Sequence, residues 1–277
     1  MTYLGAEYNA AATAGGKNIM AELFRMWGNT RMVVLTAICA ALYAAVLIPF
    51  KVVPLIPGIT EFRPANAVPV VCSFLFGPAA AWGSAFGNLI GDFFGGLGPG
   101  DVFGFVANLF YGLVPYAVWE ALSDAEPVPR GPGSWILLLA VIGLAAMLCA
   151  TVVGWGLQAL GFHPFTVLGT VVLVNNLVVA TILAPFLLRL LYPRIRHARL
   201  LYRDLLGPRP PLPRWRAALG VGLVVVGTCA AFAAGELIAS GRWLAPWATY
   251  RTGSGAFEVG VGLVPFLAVA VAGLALL

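Results

Sequence analysis

Residues 58–120 read GITEFRPANAVPVVCSFLFGPAAAWGSAFGNLIGDFFGGLGPGDVFGFVANLFYGLVPYAVWE, an apolar, glycine-rich run interrupted by Glu61, Arg63, Asn66, Asn88, Asp92, Asp101 and Asn108. Around it the 277-residue chain is 61% hydrophobic and only 10% charged. Its mean hydropathy is +0.93, whereas a soluble domain carries roughly 25% charged residues. The chain therefore reads as an all-α, polytopic membrane protein. Polar groups are costly inside a bilayer unless they meet a partner, so these interruptions mark a candidate site.

A helix needs about 20 predominantly apolar residues to cross the hydrocarbon core. Met32–Phe50 supplies one such run, and others fall near 102–122, 134–160, 164–192, 215–240 and 256–277. The uncharged part of 64–96 is too long for one ordinary span and is broken by Gly77-Pro78, a strong turn signal that predicts two short helices in a hairpin. Charge favours the same count. The stretch 193–216 holds Arg194, Arg196, Arg199, Arg203, Arg209, Arg214 and Arg216 against Asp204 alone, which predicts a cytoplasmic loop. The leader, with Lys17, Arg25 and Arg31, is predicted on the same side. Two ends on one side require an even number of spans between them. The hairpin makes that number six, and eight spans in total place both termini on the cytoplasmic side of the cell membrane. The loops 51–63, 95–101 and 161–164 and the linker 241–255 then face outward, bringing Glu61, Arg63, Asp92, Asp101 and His163 to one membrane face.

The net charge of +5 sits largely in that one arginine cluster, so it argues for topology rather than for nucleic acid. The four cysteines, Cys39, Cys72, Cys149 and Cys229, lie inside apolar runs without metal-ligand spacing and read as packing residues. Residues 1–30 lack a compact apolar region followed by a small-residue cleavage site. Within them Ile19, Leu23, Met26 and Trp27 share a helical spacing that suits an interfacial helix, an unstructured leader being the alternative. GGKN at 15–18 is not a phosphate-binding loop, and no HExxH, GxSxG or paired-histidine motif occurs. Neither a cofactor nor a metal is expected, and the chain reads as a non-enzyme.

Asn88 and Asp92, four residues apart, share one helix face; Asp101 and Asn108, seven apart, share another. The two faces can line one cavity. Gly83, Gly87 and Gly91 recur at fourfold spacing and continue into Gly95 and Gly96, which serves either close helix packing or backbone contact with a ligand. Asp101 precedes VFGFVANLF in the position of an N-cap, so capping and ligand binding compete there. Asp92 reads as a ligand group or as a structural partner of Arg63. His163, in the turn GFHPF, is an exposed loop residue or a ligand group. Asn175 and Asn176 need hydrogen-bond partners if buried, and one of them facing the cavity is consistent with that need. Glu120 reads as a loop carboxylate at the cytoplasmic end. Ala37, Ala41 and Ala45 form a small-residue ridge that can dock another helix, unless they merely reflect abundant alanine.

That ridge, followed by EFRPANAVPV, LFGPAAAWGSAFGNLIGDFFGG and GPGDVFGFVANL, resembles the substrate-binding S subunits of energy-coupling factor (ECF) transporters, most of all the branch that includes queuosine-precursor transporters. The resemblance covers residues 31–192; residues 1–30 form a leader, 193–214 a basic linker and 215–277 a two-span extension that departs from the usual six-helix pattern. It implies a subunit that captures a vitamin-like or nucleobase-like metabolite outside the cell. Its partners would be a transmembrane coupling subunit and cytoplasmic ATPases. The docking face maps to Ala37, Ala41 and Ala45, and the pocket to Glu61, Arg63, Asn66, Asn88, Asp92, Asp101, Asn108, His163 and Asn175. Mixed acidic and amide groups favour a polar heterocycle, an amine-bearing one included, over a lipid. A proton-coupled secondary transporter with Asp92 as the titrating group is the alternative.

Overall fold

The computed structural model describes residues 18–50, 63–207, 212–248 and 255–277, together with the backbone of 54–56 and 60–61. A short helix α1 (Ile19–Arg25), capped by Asn18, leads into α2 (Thr30–Phe50). The loop that follows carries a small antiparallel pair, β1 (Pro54–Ile56) and β2 (Thr60–Glu61). Then come α3 (Ala67–Phe76), α4 (Pro78–Phe93), α5 (Asp101–Leu122), α6 (Pro132–Ala159) and α7 (Phe165–His197). A five-residue helix α8 (Tyr202–Leu206) precedes α9 (Arg214–Ala239), α10 (Ala256–Gly262) and α11 (Val264–Leu276). Six helical stretches are long and apolar enough to cross a membrane: α2, α5, α6, α7 with its extension, α9, and α10 joined to α11.

The hairpin predicted at Gly77-Pro78 is present as α3 and α4. Helix α3 has 10 residues, about 15 Å at 1.5 Å per residue, half the hydrocarbon thickness. It survives because it is enclosed by α2, α4, α5 and α7, with every residue but Val68 buried. Gly77 has φ +52°, and a Cβ there would stand 2.8 Å from Tyr202 Cγ, so the turn admits glycine on both grounds. The Ser73 hydroxyl enters the α5 ladder, donating to Gly112 O at 2.6 Å and accepting from Tyr116 N at 3.1 Å. This locks α3 to α5.

Contacts at the two ends fix the helix directions. At one end Asn29 Nδ2 donates to Leu205 O at 3.2 Å, Gly77 abuts Tyr202, and Glu120 receives Arg203 Nε at 2.8 Å and the Tyr202 hydroxyl. Arg216 Nε donates to Leu276 O at 2.8 Å there too, and Asn18 Nδ2 to Ala275 O at 3.4 Å. Successive long helices therefore alternate in direction, and Asn18 lies at the same end as the C-terminus. This is the end of the arginine cluster, called the basic end below.

Glycine packing is resolved. Cβ atoms on Gly83, Gly87 and Gly91 would fall 2.4 Å from Cys39 Cβ, 2.8 Å from Ala40 O and 2.4 Å from Leu47 Cδ2. The stripe is thus the seam between α4 and α2, not a ligand surface. The seam uses the α2 face bearing Cys39, Ala40, Tyr43, Ala44 and Leu47, leaving Ala37, Ala41 and Ala45 exposed on the other face beside Ile38 and Leu42. Helices α9–α11 pack against α5, α6, α7 and α1 rather than over that ridge. Helix α1 and the turn after it bury Ile19, Leu23 and Met26 against protein, whereas Phe24, Arg25 and Trp27 keep the exposure expected of an interfacial segment.

The end of α7 explains the arginine-rich stretch. Its 33 residues extend about 50 Å, well beyond a core of about 30 Å, so Arg194, Arg196 and His197 stand clear of hydrocarbon. Leu200 N bonds Ile195 O at 3.1 Å and Arg199 N bonds Arg196 O at 3.0 Å, the two bonds of a Schellman cap. The left-handed residue of that cap is Arg199 at φ 54°, the one non-glycine among the described residues with positive φ. For an L-residue this conformation costs roughly 1–2 kcal/mol.

Candidate functional site

At the end opposite the arginine cluster, α2, α5, α6, α7 and the turn before α3 enclose a cavity of about 100 Å³. Part of its lining is polar: Tyr43, Arg63, Asn66, Asn108, Asn175 and Asn176. The rest is apolar: Cys149, Val153, Leu157, Leu168 and Val172. Each polar residue arrives from a different place in the chain. Tyr43 sits late in α2, Asn66 in the 3-10 turn that opens α3, Asn108 early in α5, and Asn175 and Asn176 early in α7. The alternating helix directions bring these parts to one level.

The polar part is a connected network. The Tyr43 hydroxyl lies 3.2 Å from Asn66 Oδ1 and 3.1 Å from Asn108 Oδ1. Asn66 Nδ2 donates to Asn176 Oδ1 at 2.5 Å, and Asn108 Nδ2 to Gly104 O at 2.9 Å. Tyr111 braces α7 by donating to Asn176 O at 3.4 Å. A phenol has one hydrogen, so Tyr43 serves one of its two amide oxygens at a time and the other retains accepting capacity. Burial makes that capacity valuable, since an unmet polar group in a low-dielectric interior is expensive.

Asn88 and Asp92 lie beside this cavity rather than among its lining residues. Asn88 Nδ2 donates to Asp92 Oδ2 at 2.6 Å, and the pair faces Gly104, one turn of α5 from Asn108. A Cβ on Gly104 would come within 3.0 Å of Asn88 Nδ2, so glycine admits the pair. Asn88 is 2% exposed, and its Oδ1 is buried with no hydrogen-bond donor.

The remaining expected residues fall elsewhere. Asp101 is the first residue of α5, not its N-cap, which is Gly100; its Oδ2 accepts from Gly98 N at 2.7 Å and closes the glycine-rich turn. The physical reason is the tight Gly98-Pro99-Gly100 bend, which presents its own amide to the carboxylate. His163 lies in the turn between α6 and α7, half-buried and outside the cavity wall. Glu61 belongs to β2, and its side chain lies outside the described residues. Sequence reasoning missed Tyr43 and the apolar part of the lining, and of the pair Asn175 and Asn176, one of which it expected at the cavity, both line it. The available signal for Tyr43 was its place on the inner stripe of α2, where a buried phenol needs a polar partner.

Arg63 supplies the cation of the lining, and no carboxylate lines the cavity among the described residues. The site thus offers amide donors and acceptors, a hydroxyl and a guanidinium beside aliphatic side chains. That chemistry can hydrogen-bond a small polar molecule, and among the described residues the lining contains no nucleophile–base pair. Among the described residues no group of three or more His, Cys, Asp or Glu is placed to hold a metal ion.

Comparison with known families matches residues 33–193 to the family described as QueT transporter. The match covers more than half of the 277 residues and nearly all of the helices that build the cavity. No curated protein and no solved structure matches the chain.

Proposed function

This chain belongs to the QueT transporter family, a transport protein rather than an enzyme, and from that premise we propose that it is the substrate-specificity subunit of an ATP-driven importer of the energy-coupling factor type. The solute is a small vitamin-like or nucleobase-like metabolite. It is captured at the outer face by Arg63, Asn66, Asn108 and Asn175 together with Tyr43 and Asn176. Asn88 and Asp92 extend the site by one helical turn, and Glu61, Asp101 and His163 border its entrance. The observation that carries this reading is the amide–tyrosine network around a cavity in an otherwise apolar bundle, with the Asn88 carbonyl buried beside it without a donor. A solute bearing N–H groups on one edge would satisfy that oxygen and the carbonyl that Tyr43 leaves unserved.

The arginine-rich end is assigned to the cytoplasm by its charge, so in this proposal the cavity opens outward and both termini lie on the cytoplasmic side of the cell membrane. In this proposal residues 31–192 form the substrate-binding unit, 1–30 the leader, 193–214 the basic linker and 215–277 a two-span extension. The exposed Ala37–Ala41–Ala45 ridge is the surface for a transmembrane coupling subunit, which transmits the work of cytoplasmic ATPases. Its exposure, and the packing of α9–α11 away from it, support that assignment.

Buried Asp92, 8% exposed, favours a second reading, proton-coupled secondary transport. The two part cleanly by experiment. The importer reading expects uptake to stop when cellular ATP is depleted and to persist with a protonophore while ATP is maintained; the opposite pattern overturns it. Mass spectrometry of small molecules that copurify with the detergent-solubilised protein tests capture and identifies the solute.

A further inference from the structure

Another opening lies at the basic end, away from the substrate cavity. It is a groove of about 480 Å³ between the α5–α6 connection and the end of α7, lined by Val128, Arg130, Tyr192, Pro193, Arg196 and Arg199 and also by Glu126 and His197. Glu126 steadies two of the guanidiniums, receiving Arg130 Nη2 at 3.1 Å and Arg196 Nη1. Three arginines against one carboxylate leave the groove cationic.

Cations near a helix C-terminus are ordinary, because they offset the macrodipole. That account covers Arg194, Arg196 and His197, but not Arg199. The left-handed position of a Schellman cap is where glycine stands by default, yet here an arginine holds the strained conformation and is one of the residues lining the groove. Strain retained at a position where glycine would relieve it signals a use for the side chain.

The surroundings identify the ligand. Val174, Val178, Ile182, Phe186 and Leu190, spaced by four residues, form an exposed apolar stripe along α7 that ends at Pro193 in the groove. Trp135, 38% exposed in the first turns of α6, marks the interfacial level on the other side. A ligand filling both features carries an anionic head and an apolar tail. We propose that this groove is a binding site for an anionic phospholipid, with the phosphate headgroup among Arg130, Arg196 and Arg199 and an acyl chain along the α7 stripe.

The test uses the full chain in detergent, offered phosphatidylglycerol or phosphatidylcholine of the same acyl composition, with retained lipid read by native mass spectrometry and stability by thermal unfolding. Wild type is expected to retain phosphatidylglycerol preferentially. Arg199→Gly is expected to unfold at the same or a higher temperature in phosphatidylcholine, yet to bind phosphatidylglycerol about fivefold more weakly. Arg130→Gln is expected to weaken it similarly. Equal retention of the two lipids, or an unchanged preference in Arg199→Gly, overturns the proposal. So does glycerol 3-phosphate competing as well as the lipid, which would make phosphate alone the ligand. A poly-glutamate peptide bound by wild type and lost in Arg199→Gly, without any lipid preference, would assign the groove to an acidic protein segment instead.

Discussion

Asn66→Leu and Asn108→Leu are expected to cost more together than the sum of their separate effects, because one hydroxyl serves both amides. Tyr43 OH lies 3.2 Å from Asn66 Oδ1 and 3.1 Å from Asn108 Oδ1. With either amide removed, its hydrogen still finds the other. Each single change does break a second bond, Asn66 Nδ2 to Asn176 Oδ1 or Asn108 Nδ2 to Gly104 O, at a cost of about 1–3 kcal/mol. Those two losses are independent and should add. The double variant alone strands the hydroxyl of a residue that is 1% exposed, which adds about 1–3 kcal/mol more. In a Tyr43→Phe background the extra penalty should vanish, since no hydroxyl remains to strand. Equilibrium unfolding by SDS titration in mixed micelles, followed by tryptophan fluorescence, measures all the variants. Additivity within about 0.5 kcal/mol, or a coupling that persists in Tyr43→Phe, would refute the shared-proton reasoning.

The two sides of α2 should respond oppositely to bulk. Ala41→Leu on the exposed ridge is expected to change stability by no more than about 0.5 kcal/mol while abolishing copurification with the coupling subunit; Ala44→Leu, at 5% exposure, should instead destabilise the isolated chain by about 1–3 kcal/mol. Gly83→Ala places a methyl 2.4 Å from Cys39 Cβ and 2.9 Å from Thr36 O, over 1 Å inside a carbon–carbon contact of about 3.5–4.0 Å, so a lowered unfolding midpoint is expected and an unchanged one counts against the seam. Asn88→Leu removes the buried carbonyl proposed to meet the solute, and uptake affinity should fall about tenfold, equivalent to one hydrogen bond of about 1.4 kcal/mol. Asp92→Asn should leave ATP-dependent uptake in place, whereas its complete loss with ATP intact would favour proton coupling.

Much of the architecture is legible in order along the chain. The Gly77-Pro78 break, the long apolar runs and the arginine-rich stretch anticipate the α3–α4 hairpin, the crossing helices and the basic end, each within a few residues of its observed bounds. Less of the site is legible. Asn66, Asn108 and Asn175 reach one cavity with Arg63, but Asp101 turns back to Gly98, and the β pair within 54–61 carried no signal against an all-α background. The glycine stripe had two uses open to it; Cys39, Ala40 and Leu47 pressed against it decide for packing.

Hydropathy, turn chemistry and net charge act over neighbouring residues, so the sequence by itself determined that the chain crosses a membrane and where it reverses. Its alanine spacing likewise marked one face of α2 as unusually smooth. Which polar groups meet was decided only by the tertiary structure. Successive side chains on a helix are turned by about 100°, and the packing of α2 on α4 sets the rotation that sends Tyr43 inward and Ala41 outward. The partners of Tyr43 lie 23 and 65 residues away, at distances along the chain over which no local pattern can specify a hydrogen bond.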